Sequence, residues 1–189
     1  MISIESVCKK IFEDKHWVPN LLIGSLLCFV PIVNLLAFGY LYRYLKQIRQ
    51  THDFSWPRWA EWERLFIEGV YFFLIALAFF AIPMLLGLLT GAIMRHTLLG
   101  FALGLFVGAP LFTSALYTFQ GNSDWQSLRA VNVIFKRVVA HWAHFIFPSL
   151  AFVGFMVLGF PLYGFTFFVG LAILMPYYTL HFEKSGHGH

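Results

Sequence analysis

Residues 21–42, LLIGSLLCFVPIVNLLAFGYLY, decide how the chain is read. They form 22 residues without a charge, enough to cross a hydrocarbon layer of about 30 Å at about 1.5 Å per helical residue. Pro31-Ile32-Val33-Asn34 interrupts them near the middle; a proline removes one helix hydrogen bond and its ring strikes the preceding turn. The pieces on either side make half-helices of about 15 Å and about 12 Å. The segment therefore either crosses once, kinked, or enters and returns, and that choice sets the side on which the amino-terminal residues lie.

The composition fixes the medium. Hydrophobic residues make up 59% of the 189 and charged residues 12%, about half the share usual in soluble domains, roughly 25%. The charge-free stretches are long, and no polar segment between them is large enough to bury a core of its own. The expected fold is all-α: one polytopic helical membrane domain over 1–189 with four full spans. Residues 21–42 add a re-entrant or fifth spanning segment, and amphipathic surface helices complete it. Cys8 and Cys28 have neither metal-ligand spacing nor a plausible disulfide partner. The first apolar run starts at residue 21 and lacks a small-x-small cleavage site, so it is expected to be retained.

In chain order, residues 1–20 read as a surface helix with Ile4, Val7, Ile11 and Phe12 on one face. Trp17 follows as an interface anchor, and Pro19 ends the segment. The 43–64 loop carries Arg43, Lys46, Arg49, Arg58 and Arg64. Within it Trp56-Pro57 reads as a helix start, with Trp56, Trp59, Trp62 and Phe66 as the stripe of a second surface helix over 56–66. Residues 67–94, kinked at Pro83, and 97–119, with Pro110 inside, form a hairpin about Arg95-His96. Ser123-Asp124-Trp125-Gln126 has capping-box spacing and opens a third surface helix over 124–142. Its apolar face is Trp125, Leu128, Phe135, Val138 and Trp142; its polar face is Arg129, Asn132, Lys136 and Arg137. Residues 143–160 and 162–182 form a second hairpin about Gly159-Phe160-Pro161, and 183–189 is a polar tail.

Basic residues stay on the cytoplasmic side of membranes. With the turns at Arg95-His96 and 159–164 outside, both long loops and the carboxyl terminus lie inside. If 21–42 is re-entrant, 12 of the 13 Lys and Arg side chains are inside and Arg95 alone is outside. If it crosses, Lys9, Lys10 and Lys15 move out. The bias favours the re-entrant arrangement, in an inner (plasma) membrane, with anionic lipid at the cytoplasmic face as one partner.

Gly87-x-x-x-Gly91 and Gly100-x-x-x-Gly104-x-x-x-Gly108 lie equidistant about the Arg95-His96 turn, Gly91 facing Gly100, Gly87 facing Gly104 and Pro83 facing Gly108. Small residues four apart let backbones approach closely, so a tightly packed antiparallel hairpin is expected, although glycine is common in membrane helices in any case. His141 and His144 share a helical face, His181 ends the last apolar stretch, and His187-Gly188-His189 closes the sequence. Imidazoles are common metal ligands, but no carboxylate or thiolate accompanies them at ligand spacing, so interfacial histidines are the expectation and no metal or cofactor is assigned. Trp17, Trp56, Trp59, Trp62, Trp125 and Trp142 all border inner-surface segments, as a collar of interface anchors.

Two blocks resemble a family of prokaryotic multi-span membrane proteins of unknown function. The first is Leu21-Leu22-Ile23-Gly24, Pro31-Ile32-Val33-Asn34, Gly39-Tyr40-Leu41 and Arg43. The second runs from Pro57 to Gly69, with Glu61, Trp62, Leu65, Phe66, Glu68 and Gly69 in place. Trp59, Ala60 and Glu63 depart from the pattern. The resemblance implies membrane architecture and brings no reaction, ligand or catalytic residue.

No Asp, Glu, Lys or Arg lies well inside a span, and no nucleophile–base set, carboxylate pair or phosphate loop is visible. The chain is therefore not expected to be an enzyme or to bind nucleic acid. The leading expectation is a non-catalytic accessory or scaffold protein packing against lipid, other membrane proteins or itself. The alternatives are a small carrier or channel for lipid or neutral solute, with Pro31 and Asn34 at its midplane break, and a cofactor-binding subunit using His141, His144 or His181. A polar cavity reaching Asn34 would favour the carrier; a packed interior with an apolar outer face would favour the scaffold.

Overall fold

The structure, a computed structural model, describes residues 3–122 and 124–186. Among them every regular element is helical: α1 (Ile4–Glu13), α2 (Trp17–Leu27), α3 (Asn34–Thr51), α4 (Trp62–Ala76), α5 (Ile82–Ile93), α6 (Thr97–Asn122), α7 (Val131–Ala140), α8 (Trp142–Leu158) and α9 (Tyr163–Gly186). Three continuous helices are long and apolar enough to cross a membrane: Trp62–Ile93, Thr97–Asn122 and Phe160–Glu183. A fourth exists if α7 and α8, bent by 87° at His141, count as one. Alone, the 17 residues of α8 reach only about 25 Å. The described residues pack as two compact units, one from residues up to 73 together with those from 154 onward, the other from 74–153.

In the first unit α9 is the post on which α1, α2 and α3 pack. The amphipathic stripe of α1 is real, capped by Ser3 accepting the Ser6 N–H, but Val7 and Ile11 are buried in the protein rather than left for a membrane surface. Pro19 does not end the segment. It sits in the first turn of α2, where the missing N–H would have had no helical partner anyway. The break in 21–42 is present: α2 stops at Leu27, the chain turns through 28–33 with Ile32 left-handed at φ 70°, and α3 begins at Asn34.

Residues 43–51, expected as loop, continue α3 for more than two turns. Leu41, Tyr44, Leu45 and Ile48 recur at helical spacing and are all buried, so the stripe carries the helix past the first charge. His52, left-handed at φ 56°, ends it. The expected surface helix over 56–66 is absent: 52–61 is irregular and α4 starts at Trp62. Trp56 is the reason. Its indole inserts beside Tyr44 (ring centroids 4.6 Å) and Tyr40 (6.2 Å), its Nε1–H donates to Ile11 O at 3.2 Å, and its backbone N–H donates to Asp14 at 2.8 Å. Those bonds hold the backbone out of a helix.

In the second unit, a five-residue π turn, Leu77–Ala81, precedes Pro83. Widening the helix there accommodates the ring and the bond it cannot make. α5 and α6 then fold back on one another about Arg95, itself left-handed at φ 58°. The expected third surface helix is broken in two, a short 3-10 turn at Trp125–Arg129 and α7. Ser123 lies outside the described residues, and it is Asp124 that caps the turn, accepting the Gln126 N–H. Ile134 and Val138 face inward, while Val131, Phe135 and Val139 are exposed. Arg137 is not on a solvated face: its Nη1 donates to Thr118 Oγ1 at 2.6 Å, and its guanidinium lies over the Tyr117 ring.

Candidate functional site

The two sequence blocks meet where α3 and α4 clasp. Gly39 lies against the Leu65 carbonyl and Gly69 against the Leu35 carbonyl; a Cβ on either glycine would stand 1.8 Å from the oxygen. Only glycine permits that approach. The reciprocal pairing, 39 with 65 and 35 with 69, makes the helices antiparallel. Around the clasp the rings of Tyr44, Trp56, Tyr40, Trp59 and Trp62 form a ladder, with Trp59 stacked on Tyr40 at 3.9 Å. The Tyr40 hydroxyl donates to Pro57 O at 2.8 Å.

Charge converges on the same contact. Arg43 Nε donates to Glu68 at 3.0 Å, Nη1 to Ala60 O at 3.1 Å, and Nη2 stands 3.5 Å from Glu61. Arg64 approaches both carboxylates at 3.4 Å. Glu68 is 7% exposed; two guanidinium partners offset the cost of holding that carboxylate away from water. A cavity of about 440 Å³ opens beside them, lined by Arg43, Lys46, Gln47, Gln50, Thr51, Glu61, Arg64 and Glu68. Lys46 makes no ion pair among the described residues. Both carboxylates are ion-paired, so the lining carries three basic side chains, Arg43, Lys46 and Arg64, against Glu61 and Glu68. Beyond Gln47, whose Nε2 donates to the Asp53 carboxylate at 3.3 Å, Asp53 accepts the Ser55 N–H at 2.9 Å and its hydroxyl at 2.6 Å, which hold its carboxyl below the usual range.

Sequence reasoning missed the Arg43–Glu68 pair. The signal was available: Arg43 is the first charge after the uncharged 17–42 stretch and Glu68 the last before the uncharged 69–94 stretch. Ionisable groups at the edge of apolar helices pair with one another where they can.

The other singled-out residues fall elsewhere. Pro31 is exposed in the 28–33 turn and Asn34 opens α3; neither lines the cavity. Trp56 and Trp59 stack inside the first unit rather than anchoring at an interface, whereas Trp62 and Trp125 are exposed. Trp17 meets Phe12 edge-on at 4.9 Å, and Trp142 meets Phe106 at 5.1 Å. In the α5–α6 hairpin a Cβ on Gly91 would stand 2.7 Å from Gly100 Cα, and one on Gly87 2.9 Å from Gly104 Cα. Gly108 faces Phe80 rather than Pro83, because the π turn rotates the residues before Pro83. His141 Nδ1 bonds Arg137 O at 2.9 Å in one unit; His181 Nδ1 bonds Tyr177 O at 3.0 Å in the other. His144 follows His141 through the start of α8, and its backbone N–H donates to His141 O. Among the described residues no three His, Cys, Asp or Glu side chains stand where they could share a metal ion; His187 and His189 lie outside them.

The chain belongs to a family described as protein of unknown function (DUF4013), whose model matches residues 23–121. That region contains both halves of the clasp and the α5–α6 hairpin. No curated protein and no solved structure matches the chain.

Proposed function

We propose that this member of the family is a non-catalytic accessory or scaffold protein of the inner membrane. Its uncovered apolar helix faces pack against other membrane proteins and lipid, and its long loops and both termini lie in the cytoplasm. The observation carrying the reading is the helix Trp62–Ile93, of whose most apolar window only 11% is buried, against 56% for Thr97–Asn122. One side of α5 is consumed by Gly87 and Gly91 against α6. The other presents Ile82, Leu85, Leu86, Leu89 and Ile93, all exposed. Membrane helices associate through shape and small-residue contacts rather than hydrophobic drive, so a rigid, glycine-clasped hairpin with one bare face is a ready surface for a further helix. Residues 21–42 re-enter, which keeps all Lys and Arg except Arg95 on one side. Lys46 and the adjoining cleft offer that side's anionic headgroups a contact.

A photoreactive side chain at Leu86 or Leu89 in native membranes tests the reading. Discrete protein adducts are expected there and none at buried Ala115. Lipid adducts alone at Leu86 and Leu89 would refute the scaffold role.

A further inference from the structure

Helix α9 is long enough to span, but its register within the first unit says it stops short. Phe38 packs on Phe167 with ring centroids 6.1 Å apart, and His52 Nε2 lies 3.2 Å from Glu183. α3 and α9 therefore run in the same direction, with Asn34 level with Tyr163. The Gly39–Leu65 and Leu35–Gly69 contacts place that level near Val70. Going the other way along α3, Arg43 is level with Glu61, and Arg58, Glu61, Glu63 and Arg64 are exposed charges. That level is in water.

From Arg43 back to Asn34 is nine residues, about 13 Å. The turns beyond it add a few ångströms, against a hydrocarbon thickness of about 30 Å. By the same register only about the first nine residues of α9 lie beyond the level of Arg43. The rest, including buried Tyr178, His181 and Phe182, lies from the level of Arg43 onward, on the wet side. A full crossing has a different length: the sequence runs for 26 uncharged residues over 69–94 before reaching Arg95.

The turns themselves agree. Phe29 of the α2–α3 turn touches Tyr163 edge-on at 5.0 Å, and a Cβ on Gly164 would stand 2.8 Å from its ring. Leu26, Phe29, Val30, Ile32, Leu158, Phe160 and Leu162 around that contact are exposed. No Asp, Glu, Lys or Arg occurs in 16–42 or 138–182. The α5–α6 turn, by contrast, carries Arg95 and His96, both exposed. A turn in water has polar residues to satisfy it; these two have none.

We infer that α8–α9, like α2–α3, is re-entrant. The two turns form one uncharged tip that ends near the middle of the bilayer and is covered by acyl chains, and the chain crosses the membrane only twice, through Trp62–Ile93 and Thr97–Asn122. Backbone at that depth must find its partners within the protein, and here the N–H groups of Phe29, Val30 and Leu162 donate to the carbonyls of Leu26, Leu27 and Gly159. The inference rests on the membrane reading above but not on which side is cytoplasmic, since neither re-entrant hairpin changes sides.

The test uses the full chain with Cys8→Ser and Cys28→Ala, in sealed vesicles of both orientations, with a membrane-impermeant maleimide. Arg58→Cys is expected to react from one side and Met94→Cys from the other. Ile32→Cys and Leu162→Cys are expected to react from neither side until detergent is added, the later reaction proving the thiol intact. A nitroxide at Leu162 should then be relaxed by oxygen far more than by a water-soluble nickel chelate. Reaction of Leu162→Cys from the Met94 side would make α8–α9 a full crossing and overturn the inference; reaction from the Arg58 side would place the tip outside the bilayer and overturn it equally. If Met94→Cys reacts from the cytoplasmic face, the proposed sidedness fails separately.

Discussion

Gly39→Ala is the sharpest perturbation of the clasp. The added methyl would stand 1.8 Å from the Leu65 carbonyl oxygen, and ordinary contact begins at 3.4 Å, so α3 and α4 must separate by about 1.6 Å. Both groups are backbone, and no rotamer change relieves the clash. Over-packing of this kind costs about 1–3 kcal/mol. Separation also stretches the Arg43–Glu68 bond at 3.0 Å, a charged contact worth about 1.5–3 kcal/mol. Alanine returns about 1 kcal/mol of helix propensity, leaving a net loss of about 3 kcal/mol. Gly154 supplies the control: nothing lies within 4 Å of its Cβ position, so Gly154→Ala should keep the propensity gain alone, about 0.5–1 kcal/mol. Reversible unfolding in mixed detergent and dodecyl sulfate, followed by tryptophan fluorescence, measures both. If Gly39→Ala unfolds at the wild-type midpoint, the close approach of α3 and α4 is wrong, and with it the register on which the proposed depth of the two turns depends.

Other outcomes follow from the same contacts. Arg43→Met leaves buried Glu68 with Arg64 alone and should cost about 2–4 kcal/mol, somewhat below the loss for a fully orphaned buried ion; adding Glu68→Gln should restore at least half, as a double-mutant unfolding cycle would read. Trp56→Phe keeps the stack but loses the bond to Ile11 O, for about 1 kcal/mol, whereas Trp56→Ala should cost about 3–5 kcal/mol and exposed Trp62→Ala much less in the same assay. Asp53 titrates below its ordinary 3.8 because Ser55 donates two hydrogen bonds to the carboxylate. Between the folded and unfolded pKa values the unfolded chain binds the extra proton, so this contribution is complete above pH 3.8 and is lost as pH falls through the lower, folded value. Asp53→Asn should flatten the acid limb of a stability–pH curve by lowering its neutral plateau, where the contribution it removes is present in full.

Several features were legible because they are local. The uncharged 69–94 stretch is a helix because its length and apolarity leave no other backbone satisfied in hydrocarbon. The 28–33 break follows from Pro31, and the close face of α5 and α6 from glycines four apart. The α3 extension was legible too, in Leu41, Tyr44, Leu45 and Ile48, although the charge at Arg43 masks it. The irregular 52–61 segment was not, because a tryptophan stripe at helical spacing gives no sign that Trp56 and Trp59 will stack on tyrosines of another helix.

By itself, the sequence determined the apolar, all-helical class and the break over 28–33. Tertiary structure alone decided what covers each apolar face: α9 rather than lipid over Val7 and Ile11, Tyr40 and Tyr44 rather than the interface around Trp56. It alone set the register of α3 against α4 and α9. The physical reason is that periodicity records a need to leave water, and a protein core and an acyl chain satisfy that need equally well.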